Sequence, residues 1–100
     1  MIGKKIDKKI MEVLKKHIGK NITVEMVWFG ESQIITDAIL KEVEPEFIII
    51  IESKKKKKIP FKDYDIAIKR IKSSDKILYD NPEIIDPSLF YRISDDFLPK

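Results

Sequence analysis

The chain has no cysteine, one histidine, one tryptophan and three glycines in 100 residues. Without thiols there are no disulfides, no thiolate metal sites and no cysteine nucleophile. Gly3, Gly19 and Gly30 lie too far apart to build a glycine-rich phosphate loop. His17 has no carboxylate at a spacing that suggests an acid–base pair, so it is not expected to be catalytic. The carboxylates Asp63, Asp65, Asp95 and Asp96 are scattered and form neither a hard-metal cage nor a catalytic pair. No apolar run approaches the roughly 18 residues that a spanning helix needs, and no signal-like apolar region follows Met1. These scarcities predict a cytoplasmic protein that is not an enzyme, with no cofactor, no membrane partner and no small-molecule substrate.

What is abundant is isoleucine and lysine. At 43% hydrophobic and 37% charged residues, the chain has the composition and length of one globular domain with a modest core. The charge is unevenly spread. Residues 1–71 carry fifteen lysines and one arginine against eleven acids, a net of +5. Residues 72–100 carry three lysines and one arginine against six acids, a net of −2.

The hydrophobic period divides the chain. Ile6, Ile10, Val13, Leu14 and His17/Ile18 recur at spacings of three and four, which predicts a helix over about 4–17 ended by Gly19. The period then becomes two. In "NITVEMVWF" the residues Ile22, Val24, Met26 and Trp28 share one face, and Thr23, Glu25, Val27 and Phe29 share the other. "GES" reads as a turn, "QIITDAILKEV" as a second strand, and "EPE" as the turn after it. "FIIIIE" (47–52) is a third strand, apolar on both faces, so cover is expected on both sides. "KKIPF" reads as a short fourth strand and "IAIKRI" as a fifth. Five short antiparallel strands predict a small curved barrel whose closure removes exposed edges. Asp86–Pro87 resembles the start of a C-terminal helix carrying Leu89, Phe90, Ile93 and Phe97. The expected organisation is a helix plus barrel over 1–71 and an extension over 72–100 that packs on the barrel or on a neighbouring subunit.

The order helix, then "GKNITVEMVWFGE", "IITDAILKEVEPEFIIII" and "KKIPFKDYDIAIKRI", resembles the Sm-like or SH3-like small barrels, nearest to the YolD-like group. The resemblance spans about residues 4–71 and implies a five-stranded barrel that binds or assembles, with ring formation one habit of the group. It does not extend to a uridine pocket. Where Sm proteins that bind uridine-rich RNA carry Asp and Asn, this chain has "VEPEF", with Glu44 and Glu46 and no Asn. The glycine of the second Sm motif is also absent from "ESKKKKKIP".

One stretch raises a functional question. Lys54, Lys55, Lys56, Lys57 and Lys58 follow directly on the isoleucine-rich strand. As a solvated hairpin loop they would suppress aggregation of "FIIIIE". As a ligand site they would hold phosphates, with affinity falling steeply in salt. Trp28 and Phe29 close the first strand, and since neighbours in a strand face opposite ways, at most one of them is expected to fill the core. The functional expectation is a non-enzymatic binding or assembly module with self-association into homo-oligomers. The alternative is a nucleic-acid (RNA) binding protein that uses the lysine run as a basic loop.

Overall fold

The computed structural model of the protein describes residues 5–84. The expected C-terminal helix, and the packing expected of residues 85–100, lie outside the described residues.

Helix α1 spans Lys8–Lys15, shorter than the expected 4–17. Asp7 sets its start: its backbone is extended and its side chain accepts a hydrogen bond from the Ile10 amide at 2.9 Å. At the other end, His17 Nδ1 lies 3.0 Å from the Val13 carbonyl oxygen, which gives the lone histidine a capping role. Gly19 (φ +88°) turns the chain and donates its amide to the Leu40 carbonyl at 2.7 Å. Leu14 and Ile6 from the expected apolar stripe are buried, Ile10 and Val13 pack against the core, and Ile18 falls past the helix end and is exposed.

Six strands follow: β1 (Asn21–Trp28), β2 (Glu31–Val43), β3 (Phe47–Glu52), β4 (Lys55–Pro60), β5 (Ile66–Ser73) and β6 (Lys76–Asp80). They form one antiparallel sheet in the order β4-β3-β2-β1-β5-β6. The mainly β architecture with an N-terminal helix is as expected. The closed five-stranded barrel is not. A sixth strand, drawn from the start of the stretch read as an extension, occupies the outer side of β5, and β4 and β6 stand at opposite ends. The sheet still curls: the corner after β4 meets β5 through one isolated bridge, Lys62 to Ala67, and the Ile68 amide donates to the Phe61 carbonyl at 2.9 Å.

Bulges in β2 contribute to the curl. Ile22 pairs with Ala38 and Val24 with Ile35, so β2 holds one residue more than β1 across that step. Asp37, inside the extra stretch, has φ +55°. A second shift falls between Leu40 and Glu42 against β3. Such bulges bend a strand and reset which residues point inward. Ile35, Ala38, Leu40 and Val43 are accordingly buried, a pattern no simple alternation contains.

The concave face holds the core. Ile22, Val24 and Met26 from β1 meet Ile48, Ile50, Ile59, Phe61, Ile68 and Ile71, and α1 covers β6 and β2. Burying each of these side chains contributes roughly 1.5–3 kcal/mol before chain entropy is counted. Among the described residues no helix covers the opposite face of β3. Phe47, Ile49 and Ile51 are only half-buried there.

A basic edge strand beside an apolar cleft

Four of the five lysines, Lys55–Lys58, lie in a strand, and Lys54 lies in the turn before it. Ser53 (φ +51°) and Lys54 (φ +67°) make the whole connection between β3 and β4. Two residues with positive φ define the type I′ turn, whose twist suits a hairpin. The register follows from it: Glu52 opposes Lys55, Ile51 Lys56, Ile50 Lys57, Ile49 Lys58 and Ile48 Ile59. Paired residues share a face. Lys55 and Lys57 therefore lie on the side of Ile48 and Ile50, and Lys56 and Lys58 on the side of Ile49 and Ile51.

This arrangement gives the outer face of β3 its partial cover. The Lys58 ammonium sits 4.2 Å from the centroid of the Phe47 ring, a cation–π contact, and lysine stems shield apolar neighbours while their charges stay in water. Lys57 is ion-paired with Glu52. Lys54, Lys55, Lys56, Lys57 and Lys58 are all exposed. Among the described residues β4 pairs with β3 on one side only, so it is an edge of the sheet they form. The other terminal strand is different, because Leu78 and Tyr79 of β6 are buried and α1 packs against it.

Next to β4 opens a cleft of about 450 Å³ lined by Met26, Trp28, Gln33, Ile35, Lys57, Lys58 and Ile59. Met26 pairs with Gln33 and Val24 with Ile35, so one wall is the β1–β2 hairpin and the other is β4. The lining residues include two lysines, one glutamine and one tryptophan, but the Lys57 ammonium is paired with Glu52 and the Lys58 ammonium sits over Phe47 on the outer face. A second cleft of about 440 Å³ also borders β4, but Glu46 and Asp63 there offset Lys58 and Lys62.

Trp28 ends the inward face of β1. Its predecessors on that face are almost fully buried, yet Trp28 remains 37% exposed at the cleft mouth. Phe29 is 61% exposed, with its ring 5.4 Å from the Trp28 ring in an edge-on arrangement. Neither aromatic fills the core. Phe29 (φ +49°) and Gly30 (φ +80°) form a second two-residue turn, narrower than the expected "GES". Left-handed backbone costs a non-glycine L-residue roughly 1–2 kcal/mol, so a bulky phenylalanine here is unusual.

The sequence identified the lysines and the aromatic pair separately. The structure brings Trp28, Lys57 and Lys58 to one cleft and adds Met26, Gln33, Ile35 and Ile59. Gln33 carried no sequence signal, since only the β1–β2 register places it opposite Met26. Among the described residues, no group of three or more His, Asp or Glu side chains could hold a metal ion, and no helix is long and apolar enough to cross a membrane. No family model, curated protein or solved structure matches this chain.

Proposed function

We propose that the chain is a non-enzymatic binding module whose ligand surface is β4 with its adjoining cleft, and whose ligand is a polyanion. One observation carries the reading: consecutive exposed lysines occupy an open edge strand beside a cleft that has no carboxylate in its lining. A phosphate-bearing chain running along such an edge gains from several charges at once, by displacing its own counterions. Kinship with the Sm-like small barrels belongs to the same reading. The helix before a curled sheet, the bent β2 and the bridge between the β4 corner and β5 support it.

The test is a titration with heparin and with a single-stranded oligonucleotide at about 50 and about 200 mM salt. Binding should weaken steeply between the two concentrations. The variant Lys55→Gln/Lys56→Gln/Lys58→Gln, which spares the Lys57–Glu52 pair, should bind less and with a shallower salt slope, by about 0.7 per lost phosphate contact on a single strand. No binding at the lower salt would remove the reading.

Self-association is a second reading, favoured by the exposure of Phe29 and Ile34 at 61% and 65%. Light scattering over a concentration series should then show mass rising with concentration, and a constant monomer mass rejects it.

A further inference from the structure

Building on the polyanion reading, we propose that the cleft is a base pocket for single-stranded nucleic acid. In this arrangement Trp28, with Phe29 beside it, stacks on one unpaired base. Gln33 hydrogen-bonds the edge of that base, and the exposed lysines of β4 hold the phosphates on either side of it.

Four features converge on this ligand. The first is the position of Trp28. It belongs to a face whose other members, Ile22, Val24 and Met26, are at most 3% exposed, but it is left open where the face meets the lysine strand. An accessible indole in a cleft bordered by a lysine-rich strand is the combination that single-strand binders use, aromatic stacking plus backbone charge neutralisation.

The second is Phe29. Asparagine or glycine would hold the same turn with less strain. A phenylalanine in left-handed backbone, with most of its ring in water, is strained without contributing to the core. Strain of this kind concentrates at binding sites.

The third is Gln33, the one side-chain amide among the cleft residues. Its amide offers both a donor and an acceptor, which suits the edge of a base better than a phosphate. The fourth is size. A cleft of about 450 Å³ lies within the roughly 300–1,000 Å³ of small-ligand pockets and admits one flat group, not a duplex. In a duplex the face of each base is already stacked, so only an unpaired base can enter.

An acidic peptide is the competing occupant, added as a further strand on β4. Lysines along an edge strand discourage such pairing and leave an open aromatic without a role. A polyanion with no bases would use the lysines and ignore Trp28 altogether.

The single tryptophan makes the cleft its own reporter. The full chain is titrated with a short single-stranded DNA, a duplex of the same length, inorganic polyphosphate and an acidic peptide, and indole fluorescence is followed beside anisotropy. The single strand should quench Trp28 and bind more tightly than duplex or polyphosphate. Trp28→Ala should weaken single-strand binding by about ten- to a hundredfold while leaving polyphosphate binding unchanged. Phe29→Asn relieves the backbone and keeps the fold, so it serves as the second variant if Trp28→Ala does not fold, and it too should weaken the single strand alone. Gln33→Ala should narrow the differences in affinity between homopolymeric single strands. Equal binding of single strand and polyphosphate without quenching would overturn the base pocket and leave the polyanion reading intact. Quenching by the peptide but not by the single strand would overturn it in favour of strand addition. Loss of all binding at low salt would remove both proposals together.

Discussion

At the scale of single residues, two buried groups behind the sheet show how a small core accommodates polarity. Phe61 is fully buried and its ring lies 5.1 Å from that of Tyr79, which is itself 3% exposed. Asn81 is the buried polar residue beside them: its side-chain oxygen accepts the Glu83 backbone amide at 3.1 Å, and its backbone N–H donates to the Lys69 carbonyl at 2.8 Å. Burial raises the Tyr79 phenol above its ordinary value of about 10, the Asp80 and Glu83 charges add to the rise, and the Asn81 side chain pulls the other way. The neutral phenol is therefore favoured in the folded state. Its contribution to stability is complete below the unfolded value and is lost as pH rises through that value toward the folded one. Urea midpoints of the native chain should fall more steeply above pH of about 10 than those of Tyr79→Phe, which removes the ionisable group and keeps the ring. Equal slopes for the two proteins would contradict this account.

At the scale of elements, β3 was legible residue for residue, because an apolar run flanked by Pro45 and by charge has few alternatives. Its partner was legible in part: "KKIPF" reads as a short strand, but β4 begins two residues earlier, at Lys55. Lysine is a poor strand former, and a Ser-Lys turn lacks the Asn-Gly or Asp-Gly signature of a two-residue hairpin. Pairing with β3 overrode both signals, so most of the residues read as a loop became strand. The bulges in β2 were equally hidden, since alternation carries no mark of an inserted residue. Hairpin β5–β6 was missed because "KILYD" is short and precedes Asn81–Pro82. The lysines themselves protect the edge they form. Replacing Lys55, Lys56 and Lys58 with threonine keeps strand propensity and removes the repulsion between copies. That variant should self-associate through β4, seen as a rise in scattered light and thioflavin fluorescence at concentrations where the native chain stays clear. A variant that stayed as soluble as the native chain would show that charge is not what protects this edge.

At the scale of the whole molecule, the class of fold was readable and its closure was not. A change of hydrophobic period after Gly19 announces a helix followed by a sheet. Whether the sheet joins its own ends depends on one corner, residues 61–65, and on whether β5 keeps a free side. The candidate site was half legible for a related reason. Charge runs and adjacent aromatics are visible in one dimension, whereas a cleft exists only once two strands far apart in sequence are set face to face.

That same corner has a kinetic consequence. Four of the five ladders among the described residues link strands adjacent in sequence, and only β1 with β5 joins distant parts of the chain. Ribbons between near neighbours close short loops and zip early, while the long-range join bears the larger loop-closure entropy. The molecule thus consists of a four-strand meander and a two-strand clasp whose one full ladder, β1 with β5, is the main seam between them. A chain nicked between Lys62 and Asp65 would leave both pieces with their own ladders, ready to reunite across that seam.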